Sequence, residues 1–305
     1  FTTAHLAPDQ GIFRGQTGVI SLSDQLNSIN SSVAQVIDFK YRAKKNREYP
    51  RSLLGVIAHI RQTFYDSDWY LKAQEIVQEY PYENEPISSN SSLESLGLSR
   101  ALNKPFVFIS SNDNSSSRAI NIVKEFKLSP WILGSGYEYR VLDYFDEVKP
   151  FFIMPINFPA KPNVTKPMSD LQFSTRELKH WDMAPDNLLY LTNSEFDFSI
   201  TSHGLKKKND FRKNLQRIIE RGLNKDIVLA ALTTQPAEAL GLEKSFGKIA
   251  KGYNANLVVV DGDYFDHKSK VVSVWIDGEE IFISSRKGPS FLGTWSLKYK
   301  GTAYD

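Results

Sequence analysis

Short apolar runs, each beginning just after a proline, recur in the middle of the chain. They cover residues 106–110, 131–134 and 151–154, after Pro105, Pro130 and Pro150. Runs that are apolar at successive positions, without polar alternation, are typical of strands buried on both faces, which occur in parallel sheets covered by helices. The pattern therefore predicts three strands of a parallel sheet.

The stretches between these runs have helical spacing. Between the first two runs, residues 117–127 place Ile120, Val123 and Phe126 three apart among polar residues, which predicts an amphipathic helix. Val141, Leu142 and Phe145 repeat the pattern before the third run. The order is a βαβαβ string, in which the crossovers are right-handed. Upstream, residues 52–80 read as helix and 81–92 as an exposed loop.

The alternation continues downstream and then changes. Residues 196–200 predict another strand, followed by helices at 211–221 and 225–232 and a short one after Gln235-Pro236, where proline suits the first helical turn. After Gly241 the runs 257–260, 271–276 and 279–284 are strand-like, and Asp277-Gly278 joins the last two as a hairpin turn. We therefore expect a doubly wound sheet or a barrel, followed by a small all-β element.

Composition excludes several classes of function. The 305 residues have 37 basic and 35 acidic side chains. A nucleic-acid-binding protein is expected to have a clear excess of basic residues, which this chain does not have. We expect the run Lys206-Lys207-Lys208 to lie on a surface exposed to solvent and not to bind a ligand. No apolar stretch approaches the length of a membrane span. Since the chain has no cysteine, thiolate nucleophiles, disulfides, zinc fingers and iron–sulfur clusters are excluded.

The start of the chain predicts that it belongs to a longer polypeptide. It opens in strand-like sequence, FTTAHLA, without a start methionine or a signal peptide. The lack of cysteine fits a periplasmic or extracellular protein that needs no disulfide bonds, although a cytosolic protein could also lack cysteine. We expect the former location.

Two segments near the C-terminus resemble the C-terminal signature of the amidohydrolase superfamily. Residues 231–242 read ALTTQPAEALGL and residues 247–263 read GKIAKGYNANLVVVDGD. The family pattern is approximately T-x-N-P-A-x-x-L-G-L, then G-x-I-x-x-G-x-x-A-D-L-V-V. Gln235 and Asn256 depart from it. At the other end, FTT resembles the G-x-T-T strand that follows the first barrel strand, and residues 11–16 are similar to a loop in large secreted bacterial proteins with two amidohydrolase domains.

The resemblance implies an α/β fold, a TIM-like (β/α) barrel with a small β-sandwich. It divides the chain into a barrel over 1–243, the C-terminal part of the sandwich over 244–288, and the start of a β-rich module or linker over 289–305. Seven βα units of about thirty residues fill the barrel segment. The first βα unit and the N-terminal part of the sandwich are then expected upstream.

Active members of the family hold zinc or another divalent metal on histidines and an aspartate at strand ends, where the metal acidifies water and polarises a carbonyl. At the expected positions this chain has Ser110, Gly134-Ser135-Gly136 and His203. Its five histidines, at positions 5, 59, 180, 203 and 267, show no ligand spacing. Serine is a poor zinc ligand, and one histidine cannot supply the usual three. We expect no metal and no other cofactor.

Four residues that follow predicted strands are the candidates for binding a substrate or ligand: Arg14, Ser110, Glu138 and His203. In a barrel, such residues meet at the mouth. Each has a structural alternative, such as an ion pair for Arg14 or a hydrogen-bonded loop histidine for His203. No catalytic residue is assigned, and His203 is the one candidate. A serine hydrolase is disfavoured, because nothing like the G-x-S-x-G elbow surrounds Ser110 or Ser135.

Two functions follow from these observations. The first is a non-catalytic scaffold or binding module of a larger secreted protein, a pseudoenzyme that has lost its metal site. The second is a hydrolase of non-peptide carbon–nitrogen bonds whose metal ligands come from the missing N-terminal segment. The expected partners are the upstream and downstream parts of the same polypeptide or another protein, with a small polar ligand. The identity of the residues at the ligand positions favours the first function.

Overall fold

The computed structural model describes residues 1–25, 27–40, 49–165, 172–266 and 268–284, and two short strands near the C-terminus. The strands up to the middle of the chain are β1 (Thr3–Leu6), β2 (Phe13–Gln16), β3 (Gly18–Ser21), β4 (Ser28–Asn30), β5 (Gln35–Asp38), β6 (Pro105–Ile109), β7 (Ser129–Leu133) and β8 (Phe151–Pro155). The later ones are β9 (Phe198–Thr201), β10 (Leu257–Val260), β11 (Val271–Ile276), β12 (Glu279–Phe282), β13 (Leu297–Tyr299) and β14 (Thr302–Tyr304).

Eight helices accompany these strands in the described residues. They are α1 (Leu53–Glu79), α2 (Ser91–Ala101), α3 (Asp113–Phe126), α4 (Thr175–Met183), α5 (Asn187–Asn193), α6 (Asp210–Glu220), α7 (Lys225–Leu232) and α8 (Thr234–Ala239). None of these helices combines the length and the apolar character that crossing a bilayer requires.

The central sheet has six strands in the order β2-β5-β6-β7-β8-β9. The five strands from β5 to β9 are parallel, and β2 pairs antiparallel with β5. The predicted parallel sheet is therefore confirmed. Among the described strands β2 and β9 are the outermost, so the expected closure into a barrel stays a prediction.

Side chains alternate between the two faces of the central sheet. On one face Ile37 and Phe108 pack with α1 and α3, and Ile132, Phe152 and Phe198 pack with the later helices. On the other face Val36, Val107 and Trp131 form a smaller cluster with Val19 of β3. Here the ring of His5, in β1, meets the Trp131 ring edge-on at 6.0 Å. The strands are thus buried on both faces, as their continuous apolar sequence predicts.

Two small sheets flank the central one. One has the order β1-β3-β4 and the other β10-β11-β12, and all their pairings are antiparallel. Ser21 at the end of β3 donates a 2.6 Å hydrogen bond to Asp277 in the β11–β12 turn, which links the two sheets. The predicted hairpin is confirmed. The opening segment contributes β1 to a small sheet and not to the parallel one.

The segment between β7 and β8 differs from the prediction of an amphipathic helix. It forms two 3₁₀ turns, at Glu138–Arg140 and Leu142–Tyr144. A 3₁₀ helix places residues three apart on one side, so the spacing of Leu142 and Phe145 fits it as well as an α-helix. Val141, Leu142 and Phe145 all pack into the core, as their pattern requires.

Three further differences concern boundaries and omissions. Arg14 lies within β2 and not in a loop, because Phe13 and Gly15 on either side of it pair with β5, with an irregularity in register between them. The predicted strand at 196–200 begins later and continues to Thr201. Strands β3, β4 and β5 and helices α2, α4 and α5 were not predicted. Of the proposed module at 289–305, only the antiparallel pairing of β13 and β14 falls inside the described residues.

Candidate functional site

The carboxyl ends of β5 to β9 lie along one edge of the central sheet, which we call the carboxyl edge. The strand register aligns Asp38, Ile109 and Leu133 across neighbouring strands, and Ile153 and Ser199 continue the row. Ligands of α/β proteins bind outside this edge, on the loops that leave it. Ser110, Glu138 and His203 follow β6, β7 and β9, and Arg14 is brought to the end of β5 by the antiparallel β2.

The guanidinium of Arg14 forms an ion pair with the carboxylate of Asp38. Both side chains are largely buried, at 15% and 9% exposure, and Arg14 also donates to the carbonyl of Pro8 at 3.4 Å. The buried Nε of Arg14 has no partner. The pair connects β2 to the end of β5. Removing either member would leave the charge of the other buried without a partner. Arg14 thus forms the structural ion pair that was the alternative to ligand binding.

Ser110 is buried, and its hydroxyl is already engaged. Its Oγ donates to the carbonyl of Asn112 at 2.8 Å and lies 2.7 Å from Oγ of Ser116 in the first turns of α3. Asn112 caps the same helix by accepting from the backbone N–H of Ser115. Ser110 occupies the position at which the resemblance to the family implies a metal-binding histidine. Its hydroxyl instead takes part in the hydrogen bonds at the start of α3.

Glu138 is fully buried and accepts four hydrogen bonds. Its Oε1 accepts from the backbone N–H and the hydroxyl of Ser135, at 2.6 and 3.0 Å, and its Oε2 accepts from the backbone N–H of Gly136 at 2.9 Å and from the amide of Asn187 at 2.8 Å. A carboxylate held by this many donors is satisfied without an external cation. Glu138 fixes the loop after β7.

His203 lies exposed in the loop after β9. Its backbone N–H donates to Thr201 Oγ1 at 3.2 Å. The next residue, Gly204, has a φ of +75°, and a Cβ there would stand 2.6 Å from the amide nitrogen of Asn157. This loop therefore packs closely on the loop after β8, and the histidine ring is left at the surface.

The four predicted residues share the carboxyl edge but are not joined to one another by any hydrogen bond or ion pair seen in the described part of the chain. Within residues 1–25, 27–40, 49–165, 172–266 and 268–284, no three histidine, aspartate or glutamate side chains are grouped as metal ligands. His267 lies outside these residues. Because Asp38 is paired, Ser110 is engaged and Glu138 is saturated, the residues present do not fit a catalytic divalent metal.

A second group of polar residues on this edge was missed by the sequence analysis. Asp113, at the start of α3, is largely buried and pairs with two arginines, Arg140 at 2.9 Å and Arg176 at 3.2 Å. Arg176 lies on α4, one turn before His180. The ring of His180 stacks on that of Tyr137, with centroids 3.5 Å apart and planes 12° apart.

The environment of His180 lowers its pKa. Burial lowers the pKa of His180 first, and the charges of Arg140 and Arg176 lower it further, although the charge of Asp113 acts in the opposite direction. The side chain is 8% exposed, and its Nδ1 is buried without a partner. The sequence does contain signals that could have indicated a helix with His180 on it. Ser174 and Glu177 have the spacing of a capping box, which the structure forms, and Arg176 and His180 are four apart on the helix that follows.

His180 lines a pocket between the loops after β7 and β8. Its volume is about 20 Å³, and its polar lining residues are Ser135, Gly136, Asn157, His180 and Asn187. A space of this size holds about one water molecule. The enclosed part of the pocket therefore accommodates one oxygen-sized group, and His180 is one of the residues that line it.

Comparison with known proteins now bears on the fold and the family. The model of the amidohydrolase family matches residues 213–282, which run from α6 to β12. The amidohydrolase tasK of Hapsidospora irregularis is 43% identical over 61 residues, which are 20% of this chain and only 6% of that protein. The resemblance to the amidohydrolase superfamily is confirmed. None of Arg14, Ser110, Glu138 and His203 lies in the segment that the family model matches.

Solved structures extend the similarity of fold over most of the chain. The amidohydrolase of Thermotoga maritima MSB8 aligns with a TM-score of 0.75 at 23% identity, over 92% of this chain and 72% of that one. A crystal structure of an uncharacterised protein aligns with a TM-score of 0.52 at 16% identity, over 86% and 71% of the two chains. Identities this low show a shared fold. They do not carry a shared reaction to this chain.

Proposed function

We propose that this chain is an amidohydrolase-related domain that binds a small polar ligand at its carboxyl edge and catalyses no metal-dependent hydrolysis. The observation that carries the proposal is that the residues at the expected metal-ligand positions do not form a set of ligands. Ser110 bonds to the start of α3, and Gly134 has no side chain. The carboxylate of Glu138 is saturated by four donors, and His203 stands alone at the surface.

The proposal includes a place for the domain in a larger protein. The five parallel strands and their helices are the part of a TIM-like barrel over 1–243 that we infer is completed by upstream sequence. The Ser21–Asp277 bond between the two small sheets supports a β-sandwich built from both ends of the chain. We infer a secreted, periplasmic or extracellular protein of bacterial type, with the rest of the polypeptide as partner.

A second candidate function is hydrolysis of non-peptide carbon–nitrogen bonds, with metal ligands supplied by the upstream segment that we infer. The match of residues 213–282 to the amidohydrolase family favours it. Even so, this chain would contribute His203 alone at the expected ligand positions in view, fewer than a catalytic zinc needs.

Elemental analysis separates the two functions. The chain is purified without chelators, and zinc, nickel and manganese are measured per mole of protein. We expect far less than one equivalent, because none of the side chains at the expected positions forms a ligand set. About one tightly held metal per chain would refute the non-catalytic proposal. The same measurement on a version with the upstream segment tests the second function.

A further inference from the structure

The orientation of His180 is the first observation that points to a ligand. Tyr137 stacks on its ring at 3.5 Å, and the Tyr139 ring lies nearly parallel to it at 6.3 Å and 10°. Tyr137 thus covers one face of the imidazole, and the edge of the ring remains for a bound group. Stacking of this kind fixes a side chain in one orientation.

The second observation is an unsatisfied nitrogen at that edge. Nδ1 of His180 is buried and makes no hydrogen bond, which is unusual for a buried polar atom and costs stability unless a partner is supplied. Asn157, another polar residue of the lining, is exposed, and the remaining two polar side chains are used within the protein. Ser135 bonds to Glu138, and Asn187 bonds to Glu138 and to the backbone of Tyr139. Among the described lining residues, His180 therefore holds the buried polar atom without a partner.

The third observation is the charge around His180. Arg140 and Arg176 are the nearest cations, and each forms an ion pair with Asp113. A guanidinium has five N–H donors, so one bond to Asp113 leaves others for a second anion. Arg176 is 57% exposed and lies on the same face of α4 as His180, while its guanidinium covers the Tyr137 ring at 5.9 Å. Glu138, the other nearby charge, has both oxygens occupied by donors.

We propose that the pocket beside His180 binds the carboxylate of a small organic acid, with one carboxylate oxygen in the space against Nδ1 and the arginines attracting the charge. The enclosed volume of about 20 Å³ takes the oxygen, and the rest of the molecule extends through the open side of the pocket. An Nδ1–H donor satisfies both the nitrogen and the oxygen. Arginine is the side chain best suited to pair with a carboxylate. This inference rests on the proposed binding role of the carboxyl edge and names its ligand class.

The test is titration with acetate, followed by the NMR signals of the His180 ring and the Gly136 amide. We expect saturable shifts with a dissociation constant in the millimolar range, and none with acetamide at the same concentrations. His180→Phe keeps the ring on Tyr137 and removes the nitrogen, so acetate should bind about tenfold more weakly or not at all. Arg176→Gln, at the surface, should weaken binding about threefold to tenfold.

The control is His59→Gln, an exposed histidine of α1 far along the chain from the pocket, which should bind acetate like the parent. Absence of saturable shifts in the parent, equal shifts with acetamide, or an unchanged affinity in both His180→Phe and Arg176→Gln would overturn the inference. Its failure is distinct from that of the proposed function. Elemental analysis can find no metal while acetate fails to bind, and acetate can bind at His180 in a chain that holds a metal.

Discussion

Glu138 is buried and forms no ion pair with the residues that the structure describes, and its carboxylate accepts four hydrogen bonds from Ser135, Gly136 and Asn187. We predict that Glu138→Gln lowers the free energy of unfolding by about 2–4 kcal/mol, because one acceptor oxygen becomes an NH₂ group that faces N–H donors. Urea denaturation measures the change. Glu177→Gln, in the exposed capping box of α4, is the matched control and should cost clearly less. Equal losses in the two variants would show that the four bonds contribute little.

His5 gives the stability of the protein a dependence on pH. Burial lowers its pKa to about 4 from 6.5, and its Nε2 lies 2.7 Å from Thr17 Oγ1. Since the unfolded chain takes up a proton at higher pH than the folded one, the free energy of unfolding falls as pH decreases from about 6.5 to 4. His180, whose pKa is also lowered, adds in the same direction.

We predict that His5→Gln removes about 2–3 kcal/mol of this fall, the amount that corresponds to the shift of the His5 pKa. Glutamine can still bond to Thr17 but does not titrate. Denaturant unfolding of both proteins at several pH values between 7 and 4 measures the two slopes. If the slopes coincide, the imidazole of His5 is not buried as the structure has it.

At the scale of elements, Arg212 of α6 anchors the turn between β10 and β11. Its guanidinium donates to three backbone carbonyls, those of Tyr264 at 3.0 Å, Asp266 at 2.6 Å and Ser269 at 2.7 Å. A fork of planar donors can reach three acceptors at once, whereas an ammonium group on a flexible stem cannot hold the same geometry. One side chain thus connects the helical layer to the C-terminal sheet.

We predict that Arg212→Lys speeds amide hydrogen exchange in β10 and β11 by roughly tenfold or more and leaves α3 unchanged, because local opening no longer breaks these bonds. Hydrogen exchange read by mass spectrometry measures it. Arg217→Lys on the same helix is the control, since Arg217 lies over the Phe158 ring and away from this turn. Faster exchange in α3 as well would indicate general destabilisation instead.

The sequence predicted elements well where local pattern decides them. The strands β6 to β8 are apolar at successive positions, and α1 and α3 have clear helical spacing, so their burial could be read directly. The short strand β5 carries Gln35 and Asp38 at its ends, and two apolar residues in a row are too few for the same reading. The segment around Leu142 was assigned to an α-helix because a spacing of three does not distinguish it from a 3₁₀ turn.

The candidate site was predicted less completely, for a physical reason. Strand-end positions placed Ser110, Glu138 and His203 on the carboxyl edge, since parallel strands end together. What each side chain does there depends on partners that are distant in sequence. Asn187 bonds to Glu138 across 49 residues, and Arg176 reaches Asp113 across 63. No local pattern encodes such pairs, and His180 was therefore missed.

At the scale of the whole molecule, exposed apolar strand edges favour association. β12 is an outer strand of its sheet, and Phe282 and the following Ile283 are 74% and 60% exposed. We predict that the chain on its own forms dimers or aggregates, with a mass above 34.7 kDa by size exclusion with light scattering. Phe282→Lys should shift the population toward monomer, and Tyr82→Lys, a fully exposed loop position, should not. A monomer at every concentration would contradict the prediction.

The packing around Gly134 bears on the history of the proposed loss of metal binding. A Cβ at this position would stand 2.5 Å from Sδ of Met154 and 3.1 Å from Oε1 of Glu138. Met154 is buried, and Glu138 is fixed by its four bonds. A histidine placed at position 134 by a single substitution would therefore collide with these two neighbours. If a metal site was lost here, as we propose, restoring it takes several substitutions at once, because Met154 and Glu138 occupy the space that a side chain at position 134 needs.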